Sequence, residues 1–412
     1  MLRRAGSFLL IIAITCLLLE GVLRAAPSLI PADALRIFNP VVRSQIAKRV
    51  GLLSTLNVEY LPRDDGGPPH RLWRFTPGAK VFGHTMDDTG FCNLPPAAYA
   101  EHRSFDLITV GDSFTYCWMV PPESTWTALT GETVGVSVFD LGIPDMGVHE
   151  YVQFLKQFAL SKHPGVVALC VYEGNDLGDA IKVQGYRASF GHASLQGPGE
   201  SEEVQPSMAR RTFYALMNSP PAEWSYAFNL GLALIGLGVQ QLTEKHADSE
   251  NNFRYSIQLN GRTVAMNSVN AHADDLARAR DLVKGQVGLT VFDDAIREFV
   301  RLGVETGFVP LLIYMPSAHT AYGACTVFQD PGAKEALDRA HEEQLAYFRR
   351  MAEALHYRLV DLTDSMREAT SGCREPRLLY LPNDLHLTTF GHSVVANRLA
   401  SELRDAGLVP RR

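Results

Sequence analysis

Five stretches of this chain are continuously apolar and short: FDLITV (105–110), VSVFDL (136–141), GVVALCVY (165–172), FVPLLIYM (308–315) and YRLVDL (357–362). An unbroken apolar run of this length is what a strand buried on both faces requires. Between and after these runs the apolar period lengthens to that of helices, over residues 147–160, 290–304, 333–355 and 389–406. Alternation of strand and helix predicts a parallel sheet with helices on both faces, a three-layer α/β/α sandwich. Residues 180–285 interrupt the alternation. They hold GPGESEEVQP, which reads as an exposed loop, and YSIQLNGRTVAM, in which Asn260-Gly261 between alternating runs signals a hairpin. They also hold WSYAFNLGLALIGLGVQQL (224–242), short and glycine-containing, which reads as a buried or membrane-facing helix of an insertion. Of its aromatic residues Trp224, Tyr226 and Phe228, core packing is the expected role.

The N-terminus carries a different pattern. Arg3 and Arg4 precede an apolar run from Phe8 to Leu19, closed by Glu20. Leu23-Arg24-Ala25 is a poor cleavage site, so residues 1–27 read as a signal anchor in preference to a cleaved peptide. The two arginines place the N-terminus in the cytoplasm and the rest outside it. Residues 28–100 read as an extension packing on the core, and 101–410 as the α/β domain with its insertion. A net charge of −7 without a long basic run argues against nucleic acid. Export permits disulfides. Cys325 and Cys373 lie in polar loops and read as a bridge or as two free thiols, while Cys92, Cys117 and Cys170 sit in or beside predicted elements.

The candidate chemistry sits just past the strand ends, where α/β sheets bind ligands. Ser113 follows the first strand in GDSFTYCW, as either a helix cap or a nucleophile. Gly142 follows the second and offers an unhindered backbone N–H. Asn175 follows the third in EGND and offers a side-chain N–H₂. With the N–H of Ser113 these are three candidate donors to one developing oxyanion. Near the C-terminus LLYLPNDLHLTTFGHS supplies Asp384 and His386, a base and its orienting acid. Two residues apart, they face the same way in an extended loop, which Pro382 favours. A threonine at 388 or 389 is expected to cap the following helix and His392 to belong to its packing. No His/Cys/Asp cluster has metal-ligand spacing, and no cofactor is expected.

Ser113 in VGDSFTY, Gly142 in DLGIPDMG, Asn175 in EGND and Asp384 with His386 in NDLHLTTFGH resemble, in order, the four signature blocks of SGNH/GDSL hydrolases. DDTGFCN, VPPEST and MPSAHTAYG around them are similar to the membrane-anchored, periplasmic bacterial branch of that superfamily. The resemblance implies a flavodoxin-like α/β/α fold, with Ser113 as nucleophile, His386 as base and Asp384 as its acid. It implies an oxyanion hole from the Ser113 N–H, the Gly142 N–H and Asn175. Many members place the acid three residues before the histidine, where this chain has Asn383; the acid is assigned to Asp384. Water as acceptor gives an esterase acting on acylated carbohydrate or a small ester. A sugar hydroxyl as acceptor gives an O-acetyltransferase of exopolysaccharide modification, served by a multi-pass membrane partner. A non-catalytic envelope binding protein is the third reading, against which the intact site residues count.

Overall fold

A computed structural model describes residues 2–30, 58–81, 83–94, 104–190, 219–236, 255–266, 269–382 and 384–409, and the single positions 34, 38, 39, 42, 46, 212 and 216. Asn383 and the GPGESEEVQP loop lie outside the described residues. The chain divides into two compact units, one of residues 1–60 with 205–249 and one of 61–204 with 250–412.

The larger unit is built on five parallel strands: β1 (Leu107–Gly111), β2 (Val138–Gly142), β3 (Val166–Tyr172), β4 (Val309–Met315) and β5 (Arg358–Asp361). Their order is β5-β4-β3-β1-β2, the flavodoxin-like arrangement. Each predicted run gives one strand, with ends shifted by a residue or two. Every residue of β1 and β3 is buried, as continuous apolar sequence demands. Crossovers in such sheets are right-handed, so reversing the direction of travel at β1 puts helices on opposite faces. Helices Trp126–Val134 and Thr389–Asp405 pack on each other. Helix Val148–Phe154 packs against helices Asp176–Phe190 and Asp293–Thr306, and helix Pro331–Leu355 packs on β5. The α/β/α expectation therefore holds. The Asn260-Gly261 hairpin also forms, with both residues at positive φ between strands Tyr255–Leu259 and Arg262–Met266. A third strand, Thr326–Phe328, joins this ribbon.

Residues 61–94 belong to the same unit as the sheet. Arg63 donates to Glu150 at 2.9 Å and Arg71 to Asp179 at 2.9 Å, which ties this segment to the helices after β2 and β3. Asn93 exchanges two hydrogen bonds with the backbone of Asp140 in β2, each 2.8 Å.

The smaller unit has its own core, in which Leu23, Ile30, Phe38 and Tyr226 are buried together. Glu20 in helix Leu2–Ala25 accepts from the backbone N–H groups of Tyr226 and Ala227 and from the Ser225 hydroxyl. It thereby satisfies the open end of the helical residues that begin at 226. Tyr226 packs as expected, whereas Trp224 is exposed. No helix among the described residues is long and apolar enough to cross a membrane. The side chains of residues 1–13, which carry much of the expected anchor, lie outside the described residues.

Candidate active site

Ser113 stands two residues past the end of β1, and no helix follows it directly: residues 113–119 run through turns. The helix-cap reading of this serine therefore fails. The carboxylate of Asp112 accepts the Phe114 N–H at 2.9 Å, and its carbonyl accepts from Thr115 and Tyr116. These bonds wind the chain so tightly that the 113–116 backbone presses on the end of β2. A Cβ at Gly142 would lie 2.4 Å from the Tyr116 nitrogen, so only glycine fits there.

His386 and Asp384 come from a hairpin spanning residues 379–388. Tyr380 and Leu387 form an antiparallel bridge, and the Leu381 N–H donates to the His386 carbonyl at 2.8 Å. The tip is a closed turn in which the Leu385 N–H returns to the Leu381 carbonyl and Leu385 adopts φ +67°. This corrects the extended-loop expectation: the two side chains face one another because Leu385 reverses the backbone between them. Thr388 caps helix Thr389–Asp405 by accepting from the Gly391 N–H at 3.1 Å, as expected. Tyr322 accepts from the backbone of Leu379 and Tyr380, and the Tyr380 hydroxyl donates to the Pro316 carbonyl beyond β4. Cys325, three residues past Tyr322, is disulfide-bonded to Cys373.

The hairpin delivers His386 to Ser113. Nε2 lies 2.8 Å from the serine oxygen, and Nδ1 is hydrogen-bonded to Asp384 Oδ1. A carboxylate on Nδ1 fixes the proton there and leaves Nε2 as acceptor for the serine O–H. Asp384 is partly buried, which alone raises its pKa, yet the hydrogen bond and charge of His386 hold it below the ordinary value. The Phe114 ring stacks on the imidazole at 4.8 Å between centroids and on Tyr172 at 3.8 Å. His386 keeps 18% of its side-chain surface exposed and Asp384 31%, so the site opens to solvent.

Two of the three expected oxyanion donors already make hydrogen bonds. The Gly142 N–H donates to Asp140 Oδ1 at 2.8 Å. Asn175 Nδ2 donates to Asp112 Oδ2 at 3.0 Å, and its second N–H is not used in that bond. An incoming carbonyl oxygen must share or displace the Gly142 bond. Burial raises Asp140 to about 7, partly offset by the bonds from Gly142 and Thr127. Asp112 and its neighbour Asp176 are likewise fully buried and pushed upward by desolvation.

Three features escaped the sequence. Trp118 donates its indole N–H to both oxygens of Asp384, at 3.1 and 3.2 Å. The preceding Cys117 is bonded to Cys92. Glu173, beside the Gly174-Asn175 turn, is the centre of a buried polar cluster with Ser317, Thr320 and His341. His392 lies in the helix packing as expected, accepting the Trp126 N–H at 3.1 Å.

No protein-family model matches this sequence, and no curated protein does. Solved structures to which this chain is similar include a proposed lipolytic protein of the G-D-S-L family from Desulfitobacterium hafniense. It is 13% identical, aligned over 72% of this chain and 97% of its own, with a TM-score of 0.35. An acetyl xylan esterase is 13% identical over 72% of this chain and 98% of its own, with a TM-score of 0.35. An acetylxylan esterase from Geobacillus stearothermophilus is 13% identical over 76% and 100%, with a TM-score of 0.34.

Proposed function

We propose that this protein is a serine esterase of the SGNH/GDSL type. It removes acyl groups, acetyl foremost, from carbohydrate or small-molecule esters in the cell envelope. The observation that carries this reading is the Ser113–His386–Asp384 chain of hydrogen bonds at the C-terminal edge of a parallel sheet. Ser113 Oγ attacks the ester carbonyl and its proton passes to His386 Nε2. Asp384 supports the imidazolium. The tetrahedral oxygen takes the Ser113 N–H and the free N–H of Asn175, with Gly142 joining as its bond to Asp140 opens. Collapse expels the alcohol, which leaves with the proton from Nε2. Water, deprotonated by the same nitrogen, then releases the acid and restores Ser113. The two disulfides support a location outside the cytoplasm, reached through the N-terminal segment acting as an anchor.

The test is turnover of p-nitrophenyl acetate and release of acetate from acetylated oligosaccharide. Ser113→Ala and His386→Ala are each expected to lose more than about 10³-fold in kcat with the fold intact. Either variant retaining wild-type turnover overturns the proposal.

A further inference from the structure

The turn that carries Ser113 also reaches the far end of the hydrogen-bond chain. Trp118 lies five residues past the serine, and its indole N–H spans both oxygens of Asp384. The ring is 5.1 Å from the imidazole centroid, so Phe114 and Trp118 both pack on His386. Asp384 needs such a tether. It sits at the tip of a hairpin beside a residue at positive φ, and nearly a third of its side chain is exposed. Without a tether, a carboxylate there would be open to water and free to turn off the imidazole.

Trp118 itself is well fixed. Its backbone N–H donates to the Tyr116 carbonyl at 2.7 Å, and the preceding Cys117 is bonded to Cys92.

Resting on the esterase reading, we propose that Trp118 is a positioning residue: its indole N–H orients Asp384 and moderates the negative charge that Asp384 presents to His386. A donor on a carboxylate stabilises its ionised form and lowers its basicity. The low pKa of Asp384 agrees, since the Trp118 bond acts in the same direction as His386. Among the described residues, Asp384 on its own hairpin is hydrogen-bonded to the imidazole, and Asp112 on the serine turn and His392 on the last helix interact with it electrostatically. Burial depresses His392 to about 3, so it is neutral in the working range. Asp112 is held by the Phe114 N–H and by Asn175 Nδ2. Loss of the indole N–H therefore leaves Asp384 more basic and favours the imidazolium.

The test compares wild type with Trp118→Phe, which keeps an aromatic ring and removes the donor, and Trp118→Gln, which removes the ring and keeps an N–H. The pH profile of kcat/KM for p-nitrophenyl acetate and the rate of fluorophosphonate labelling are measured in the full chain. Trp118→Phe is expected to lose about 10-fold in kcat, the scale of one hydrogen bond to a charged group, with KM little changed. Its acid limb is expected to move to higher pH, and Trp118→Gln to keep that limb nearer to wild type. Trp118→Phe within 2-fold of wild type, or impaired with its acid limb unmoved, overturns the inference while leaving the esterase reading standing. A folded wild type inert to both reagents overturns the esterase reading, and this inference with it.

Discussion

Glu173→Gln probes the cluster behind the oxyanion side of the site. Glu173 immediately follows β3 and precedes Gly174-Asn175, and its side chain is 5% exposed. Its Oε1 accepts from the Ser317 hydroxyl at 2.9 Å and the Thr320 hydroxyl at 2.7 Å, and its Oε2 lies 3.1 Å from His341 Nδ1. Burial pushes this carboxyl upward, but the hydrogen bond and charge of His341, the charge of His319 and the Thr320 hydroxyl bring it down to about 2. Against an ordinary value of 4.5, that depression contributes about 3 kcal/mol to the fold. The contribution is present above pH 4.5 and is lost as pH falls from there toward 2. His341 works the other way. Burial lowers it, the bond to Glu173 outweighs burial, and its folded value lies above the ordinary 6.5. Its contribution is present below pH 6.5 and fades as pH rises through the folded value. The pair is therefore strongest between about pH 4.5 and 6.5. Glu173→Gln is expected to lose about 3 kcal/mol at pH 5.5, and to show a flatter loss of stability on acidification, in urea unfolding followed by tryptophan fluorescence. A variant within about 1 kcal/mol of wild type at pH 5.5, with the same acid slope, refutes the reasoning.

Two further outcomes follow from the site and its frame. Asp384→Asn is expected to lower kcat by about 10²–10⁴-fold, because an amide donating to Nδ1 moves the imidazole proton to Nε2 and removes the acceptor for Ser113. Steady-state kinetics checks this, and a loss below about 5-fold contradicts it. Cys325→Ser with Cys373→Ser opens a loop of sequence separation 48 and is expected to cost about 4 kcal/mol on chain-entropy grounds, read by urea unfolding under oxidising conditions. Unchanged stability contradicts the estimate.

The sheet was legible because its strands are buried on both faces, which writes each as one continuous apolar run. The chemical residues were legible where each occupies a strand end, as Ser113, Gly142 and Asn175 do. The hairpin tip was not. Leucine gives no local sign of positive φ, so Leu385 concealed a closed turn inside what reads as an extended segment. Trp118 meets Asp384 across 266 residues, and an indole after a cysteine reads as ordinary core. The Cys92–Cys117 bridge was hidden for the same reason, since connectivity depends on which loops the fold brings together. The engagement of Gly142 by Asp140 is likewise a matter of side-chain direction at the strand end.

The central claim is that Ser113 is a nucleophile activated by His386. The most direct measurement is the site of fluorophosphonate attachment, mapped by peptide mass spectrometry on the folded chain. The account predicts one stoichiometric adduct on Ser113, none in Ser113→Ala, and a labelling rate that collapses in His386→Ala. An adduct on another residue, or an unlabelled Ser113 in a folded protein, contradicts it.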